Sequence, residues 1–478
     1  MEYDVAVIGC GVSGANIARC LSAYNISTVI LEKEADVSFG TSKANSGIIH
    51  GGFHHNQKTL KARLEIQGNL MFDQLQRELH FPFKRCGIVV AALHEDEMKA
   101  VEHLYRQGLE NGVIGIELCS RERILELEPK LSPDTTGGLY APGGGIIEPY
   151  RFVFALVESA VKNGVKLYTN FKVKEAAHSG SGDKGYWLIS AEDSRQIKAR
   201  YAVNSGGLFA DEISRIFNAE DYKIRARKGE YYLLDRLTKA CPSKVVFPVP
   251  AAISKGMLVI PTIEGTVLVG PTADELETKD DFSTMGEHLE LILNSGKMMI
   301  PSLSPHDVIT SFAGLRPCLD EDFYIELSKK APGFVQVAGI QSPGLTAGPA
   351  IGVYVKDILK NSGLQLTEKP GWDPGIEEYK CARNLNPHEL DELVSKGSAW
   401  GNIVCRCENV SEAEIVRAIR MGHCTLDGIK YFTRCQMGRC QGGFCTYKLI
   451  RIIMRETGLP WNEISKHGGK SRILLEEL

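Results

Sequence analysis

Six cysteines fall between residues 405 and 445, and their spacing is that of a ligand set rather than of scattered core thiols. Cys405-Arg406-Cys407 and Cys440-Gln441-Gly442-Gly443-Phe444-Cys445 frame the group, with Cys424 and Cys435 between them. Four thiolates suit either a [2Fe–2S] cluster or a structural zinc ion. Zinc sites more often show CxxC knuckles than CxC with Cx4C, which favours iron–sulfur; Cys435 could compete as a ligand, and Cys424 reads as a spare thiol. Gly442 and Gly443 permit close backbone N–H contacts to sulfur, and a following helix from about Thr446 to Glu456 turns its positive dipole end toward the thiolates.

At the other end of the chain, Val5-Ala6-Val7-Ile8-Gly9-Cys10-Gly11-Val12-Ser13-Gly14 is an apolar strand broken by three glycines. Gly9 takes the tight turn, Gly11 lets the backbone approach a pyrophosphate, and Gly14 lets the next helix, Ala15 to Ala23, pack closely on the sheet. Eighteen residues after Gly14, Glu32 ends the strand Ser27–Leu31, where a carboxylate can accept hydrogen bonds from both ribose hydroxyls. A GxGxxG alone is a weak signal; strand, helix, second strand and acid in order make it a dinucleotide site.

These two centres must be carried by more than one core, because 478 residues exceed an ordinary single domain. Hydrophobic content of 43% and charged content of 24% are those of a soluble globular protein, and a net charge of −4 without basic runs gives no case for nucleic acid. No apolar run approaches the roughly 20 residues of a membrane span, and the nucleotide strand begins near Tyr3 without a secretory leader before it, so the expectation is a cytoplasmic protein.

Between the centres the chain alternates strands and helices. A helical pattern covers Leu60 to Leu79 and another Pro149 to Lys162; the strand Tyr201-Ala202-Val203-Asn204 runs into Gly206-Gly207. Ile224 to Ile325 reads as strands with turns, a mostly antiparallel domain. The buried strand Val335–Ala338 leads to the turn Ser342-Pro343-Gly344-Leu345-Thr346, which opens a helix over Ala350 to Leu359. Ser411 and Glu414 form a capping box for a helix through Arg420, stopped at Gly422. The fold class expected is α/β: a discontinuous Rossmann-like dinucleotide domain over 1–80, 140–215 and 326–361, a mostly antiparallel α+β substrate domain over 81–139 and 216–325, a linker over 362–400 and a small helical Cys-rich domain over 401–478.

The Gly9/Gly11/Gly14 fingerprint with Glu32, the stretch Thr41–Gly52, Asn204–Asp211, Gly314-Leu315-Arg316-Pro317 and Gly339–Thr346 together resemble the FAD-dependent D-amino-acid-oxidase superfamily over about Met1 to Asn361. Within it the chain looks most like glycerol-3-phosphate dehydrogenases of the anaerobic type, with L-2-hydroxyglutarate oxidases as cousins. The tail from Ile403 to about Glu456 resembles the [2Fe–2S] bacterioferritin-associated-ferredoxin-like domain, which implies Cys405, Cys407, Cys440 and Cys445 as ligands. The resemblance implies FAD rather than NAD, with Thr41, Ser42, Asn45, Ser46, Gly47, Gly206, Gly207, Gly344, Leu345 and Thr346 joining the fingerprint around it. In such enzymes a substrate hydride passes to the flavin while a base takes the hydroxyl proton and a cation holds the substrate's anionic group.

Arg316 is the candidate cation, its planar fork suited to phosphate or carboxylate, and Lys255 a second anion contact. His50, on a glycine-flanked loop, is the candidate base, since an ordinary imidazole titrates near neutrality; the competing role is a hydrogen bond to cofactor or backbone. His50, His54 and His55 could suggest a metal site, but Gly51-Gly52 argues against the helix that would align His50 with His54. The function expected is oxidation of sn-glycerol 3-phosphate to dihydroxyacetone phosphate, with electrons leaving through the [2Fe–2S] cluster to a protein acceptor. The alternatives are a 2-hydroxyacid or amino-acid dehydrogenase on the same scaffold, or a non-catalytic flavin/iron–sulfur electron-transfer subunit.

Overall fold

A computed structural model describes residues 2–180, 185–250, 256–320 and 322–474. The chain divides into two compact units, Met1–Leu31 with Ser38–Ile376, and Glu32–Val37 with Glu377–Leu478.

The first unit is built on two sheets. In the eight-stranded one, Glu2–Ile8 lies centrally, parallel to Thr28–Leu31 on one edge and to Gln196–Asn204 on the other, with Lys166–Tyr168 beyond Thr28–Leu31. The free edge of Gln196–Asn204 is shared. Its start pairs antiparallel with Tyr186–Ala191, and its end pairs parallel with Phe334–Ala338. Because side chains alternate along a strand, Val5 and Val7 point one way and Ala6 and Ile8 the other. Val5 and Val7 pack with Ile17 and Leu21 of the helix Val12–Ser22 and with Ala347, Ile351 and Val355 of the helix Gly344–Asn361. Ala6 and Ile8 join Phe171, Trp187, Phe217 and Phe334. Both faces are therefore covered, which is why the strand reads as a continuous apolar run.

The helix Gly344–Asn361 starts six residues before the expected Ala350, with Pro349 inside it. Proline there removes one backbone donor in the second turn, and the helix continues through it because tertiary packing holds both sides. At Gly348 and Gly352 it presses on Asn16, where added Cβ atoms would lie 2.8 Å from Asn16 Nδ2 and 2.8 Å from its carbonyl oxygen.

The nine-stranded sheet draws on Ile88–Ala92, Glu117–Ser120 and Gly137–Ala141 and on strands between Arg225 and Cys318. Every pairing is antiparallel except Val245–Pro248 against Ile88–Ala91. Its longest pairing, Arg225–Leu234 with Val308–Cys318, sets Arg316 opposite Arg227. A helix over Gly286–Met299, which the strand-rich pattern did not foretell, buries Ile292 and Met299 against it. A three-stranded sheet of Ile48–Ile49, Gly145–Ile147 and Phe83–Lys84 completes the unit.

In the second unit the strands Ile403–Cys405 and Val410–Ser411 lead into helices Glu412–Arg420, Leu426–Thr433 and Thr446–Thr457. The capping box of Ser411 and Glu414 forms as read from the sequence, and Gly422 and Gly458 take positive φ of 100° and 75° after their helices. Asp427 is buried and receives Lys466 Nζ at 2.8 Å and His467 Nδ1 at 3.0 Å. Among the described residues no helix is long and apolar enough to cross a membrane.

Two outcomes follow from this packing. Gly68 sits inside the helix Leu60–Leu79 where a Cβ would lie 2.1 Å from the carbonyl oxygen of Thr346. Alanine normally strengthens a helix interior by up to about 1 kcal/mol, but overpacking costs about 1–3 kcal/mol. Gly68→Ala therefore lowers the urea midpoint of the first unit, and a raised midpoint would contradict the crossing. Burial pushes the Asp427 carboxyl up, but the bonds from His467 and Lys466 outweigh it and hold its pKa down to about 2. A depressed carboxylate stabilises above its unfolded pKa near 4 and loses that contribution as pH falls toward 2, here about 2 kcal/mol. Asp427→Asn should flatten the acid limb of the second unit's stability between pH 4 and 2, read by circular dichroism melts.

Candidate functional site

The nucleotide end is a cradle made by missing side chains. Gly9 has φ 95° and a Cβ there would lie 2.6 Å from the carbonyl oxygen of Ser205; at Gly14 it would lie 2.0 Å from the carbonyl oxygen of Gly9. Gly11 caps the helix Val12–Ser22 without a side-chain bond, and the Val12 N–H donates to Ser42 Oγ at 2.9 Å. Ser205 Oγ donates to the Ile8 carbonyl, which ties the second glycine turn, Gly206-Gly207, to the first. Gly207 has φ 57°. Glu32 directly follows the strand Thr28–Leu31, is buried, and accepts from the Glu34 N–H at 2.9 Å. Bare backbone at a helix N-terminus suits a diphosphate, so the residues fit an extended dinucleotide.

The loop from Thr41 to Gly52 is tied down along its length. Thr41 Oγ1 donates to the Leu315 carbonyl at 2.7 Å, and Asn45 Nδ2 donates to the Ser42 carbonyl at 2.8 Å while its Oδ1 accepts from the Gly47 N–H. Gly314 passes so close that a Cβ would lie 1.9 Å from the Ala44 carbonyl oxygen. Gly47, at φ 65°, meets the Ile147 carbonyl in the same way, at 2.4 Å. The backbone N–H of His50 donates to Thr346 Oγ1 at 2.9 Å, and its carbonyl accepts from Asn69 Nδ2 at 2.6 Å. Thr346 itself is buried in the first turn of the helix Gly344–Asn361, beside Gly344 and Leu345.

His50 is buried, its Nε2 lies 3.2 Å from Ser342 Oγ, and its ring meets Phe247 edge-on at 6.1 Å between centroids. His54 packs on Phe53 at 4.2 Å and Phe247 at 5.1 Å between centroids. Arg316 is partly buried; its Nη2 donates to the carbonyls of Lys228 and Thr272. Among the described residues its Nε and Nη1 make no hydrogen bond, leaving two nitrogens with three N–H donors for an anion. Lys255 lies outside the described residues.

Tyr231 is a site residue that the sequence reading missed. Its ring stacks on Phe312 at 5.0 Å, its hydroxyl bonds to Ser46, and the Arg316 charge acts on it. Burial nevertheless pushes its pKa up, so the phenol stays a hydroxyl donor. The only early signal was its place in a strand antiparallel to the Gly-x-Arg-Pro segment. Nearby, Glu230, Asp274 and His288 bring possible ligand atoms together, with Lys228 Nζ 3.6 Å and His288 Nδ1 2.9 Å from Glu230, so the Glu230 charge is already paired.

The cysteines converge within the second unit. Cys405 ends a strand, Cys445 caps the helix Thr446–Thr457, and Cys440 lies in the turn before it. The sulfurs of Cys405, Cys435 and Cys445 lie within 4.8 Å of one another and all three residues are buried, whereas Cys407 and Cys440, free thiols hydrogen-bonded to each other, are half-buried. Hydrogen bonds from Cys435 and Cys445 hold the Cys405 thiol far below the usual thiol range, helped by the N–H groups of Gln436 and Glu408. At Cys440 burial opposes ionisation, but the N–H of Phe444, the Cys407 thiol and the N–H of Gly442 together lower its pKa. Cys435 is flanked by Arg434 and Gln436 in the left-handed region, with φ 68° and 74°; Arg434 is locked to buried Glu408 at 3.0 Å. Thiolates ringed by backbone donors fit an iron–sulfur cluster, and spacing alone had not placed Cys435 this close.

Comparisons agree with both halves. Residues 4–358 match the family described as FAD dependent oxidoreductase, and residues 403–455 match the BFD-like [2Fe-2S] binding domain. A glycerol 3-phosphate dehydrogenase of Caloramator mitchellensis is 43% identical over 475 residues, 99% of this chain and 98% of its own. The glycerol 3-phosphate oxidase of Mycoplasma pneumoniae is 32% identical over 77% of this chain and 97% of its own. The human mitochondrial L-2-hydroxyglutarate dehydrogenase is 28% identical over 63% of this chain and 68% of its own. Among solved structures, the FAD-bound L-alpha-glycerophosphate oxidase of Mycoplasma pneumoniae superposes with a TM-score of 0.74 at 30% identity, covering 79% of this chain and 98% of that one. The chain belongs to the FAD-dependent oxidoreductase family, an FAD enzyme acting on a small molecule, and carries a [2Fe–2S] domain that follows the flavin-binding family region in sequence.

Proposed function

We propose that this enzyme oxidises sn-glycerol 3-phosphate to dihydroxyacetone phosphate and passes the electrons through its [2Fe–2S] cluster to a protein acceptor in the cytoplasm. The observation that carries this reading is the end-to-end similarity to the Caloramator mitchellensis dehydrogenase, cysteine tail included. In the same reading, residues 1–80, 140–215 and 326–361 form the FAD-binding part, residues 81–139 and 216–325 the substrate part, and 362–400 the connection to 401–478.

Gly9, Gly11, Gly14, Glu32, Thr41, Ser42, Asn45, Ser46, Gly47, Gly206, Gly207, Gly344, Leu345 and Thr346 would hold the cofactor. FAD, when bound, supplies the acceptor for the hydride leaving the substrate's C2. The chain itself handles charge and the proton. Arg316, braced by two carbonyls, holds the phosphate with its remaining N–H groups, and Lys255 adds a second positive charge. His50 takes the proton from the C2 hydroxyl at Nε2 once that hydroxyl replaces Ser342 Oγ, which lies 3.2 Å from Nε2, as its partner. The bonds from its N–H to Thr346 and from Asn69 to its carbonyl keep the imidazole from drifting, and small displacements of a base are costly. Tyr231 donates its hydroxyl hydrogen within the same pocket. Cys405, Cys407, Cys440 and Cys445 are the cluster ligands, and Cys435 is a fifth thiol hydrogen-bonded to two sulfurs.

The second reading, oxidation of a 2-hydroxyacid, is favoured by the human relative named for L-2-hydroxyglutarate and by the readiness of an arginine fork to take a carboxylate. One anaerobic panel separates them. Glycerol 3-phosphate should bleach the flavin, and bleaching by L-2-hydroxyglutarate alone would overturn the assignment. Arg316→Met should raise KM by at least tenfold, and His50→Gln should lower kcat by about 100-fold, the usual worth of a positioned base. For the cluster, Cys440→Ala should cost iron and sulfide in the purified protein while Cys435→Ala keeps both; the reverse outcome would exchange their roles.

A further inference from the structure

The rim of the cysteine centre differs from the rest of the surface. Phe444, between Cys440 and Cys445, is 84% exposed, and Tyr447, one turn on, is 70% exposed. These are the two most exposed aromatic side chains among the large exposed hydrophobic residues of the described chain. The helix Thr446–Thr457 is amphipathic: Leu449, Ile450, Ile452 and Ile453 are buried, and the opposite face presents Tyr447, Lys448 and Arg451. The Arg451 guanidinium lies 5.9 Å from the Tyr447 ring centroid. Arg406, between Cys405 and Cys407, and Arg439, just before Cys440, are exposed as well. Arg406, Lys448 and Arg451 form no ion pair among the described residues. The nearest acid in sequence, Glu408, is buried and neutralised by Arg434.

Three exposed cations without an ion pair among the described residues, Arg406, Lys448 and Arg451, and the exposed rings of Phe444 and Tyr447 thus fall within a few residues in sequence of the cysteines Cys405, Cys407, Cys440 and Cys445, on a chain whose net charge is −4. Solvation alone does not explain them: exposed aromatics cost solubility, and a one-sign charge patch repels itself. Aromatic and arginine side chains at the centre of a surface, with charge to steer the encounter, are the anatomy of an interface. We propose that this face docks an acidic one-electron carrier protein, which takes electrons from the cluster at the Cys407/Cys440 side. The proposal rests on the cluster relay described above. Oxidising one glycerol 3-phosphate releases two electrons and two protons; a cluster that carries one electron hands them on in two steps, so two carrier molecules are each reduced by one electron. A carrier met through a small charged patch binds and leaves quickly, as such turnover requires.

The test uses the full holoprotein, with a flavodoxin as the acidic probe and cytochrome c as the cationic control. Anaerobically dithionite-reduced protein is mixed with each oxidised probe and the probe's reduction is followed by stopped flow, so the result does not depend on the substrate assignment. The expected result is faster reduction of flavodoxin than of cytochrome c per unit driving force, falling steeply with salt. Lys448→Glu with Arg451→Glu should slow flavodoxin at least tenfold and remove most of that salt dependence, and Phe444→Ala should slow it without changing the salt slope. In both variants the cluster's EPR signal and the rate of flavin bleaching by glycerol 3-phosphate stay as in the parent. An unchanged flavodoxin rate in the charge-reversed protein overturns the docking face, as does a dimer that the same substitutions dissociate while flavodoxin reduction persists. If substrate bleaches the flavin but never reduces the cluster, the relay fails instead, and the direct mixing result still stands on its own.

Discussion

The architecture depends on fixing one largely irregular segment, Thr41 to Gly52, whose only strand is the two-residue Ile48–Ile49, between strands and helices that come from all over the first unit. Regular structure would satisfy its own backbone groups; this loop must find partners elsewhere. The His50 backbone finds them at Thr346 and Asn69, and the Thr41 and Ser42 side chains add ties to Leu315 and Val12, residues separated from the segment by up to about 300 positions in sequence. The approach is close enough that a single methyl group at Gly314 or Gly47 would collide with a carbonyl oxygen. His50 gains its position from this bracing, so the placement of the candidate base is a property of the assembled fold.

The same dependence explains what could be read in advance. The glycine turn at Gly9–Gly14 and the CxC and Cx4C spacings are local devices, so a linear chain displays them whole. Helices Leu60–Leu79 and Pro149–Lys162 were equally visible because their apolar stripes repeat within the segment. Long-range pairings leave no such trace. Nothing adjacent to Tyr231 announces Ser46 and Phe312, and nothing next to His50 announces Ser342 and Phe247. The early start of the helix Gly344–Asn361 was hidden because Pro349 reads as a breaker unless the packing around it is known.

Cys435 shows the limit of spacing in a different way. As a letter in the sequence it was either a spare thiol or a competing ligand, with nothing in the spacing to decide between them. Two residues in left-handed conformation, each costing on the order of 1 kcal/mol or more for a side chain other than glycine, turn it inward onto Cys405 and Cys445. Backbone strain of this kind persists where surrounding structure enforces it, and the Arg434–Glu408 pair supplies that enforcement from within the core.

The bracing of Arg316 has a consequence for selectivity. A long side chain in water sweeps out a volume and can follow a ligand of almost any length. With one nitrogen moored to the Lys228 and Thr272 carbonyls, this guanidinium is instead a fixed post on a rigid strand. In the proposed reaction an anionic substrate held there would offer His50 only the atom that lies at one set reach from its charged end. On the proposed roles of Arg316 and His50, the site would work as a ruler, sorting molecules by the number of bonds between anion and hydroxyl, so that phosphate and carboxylate would differ to it first as lengths and only then as charges.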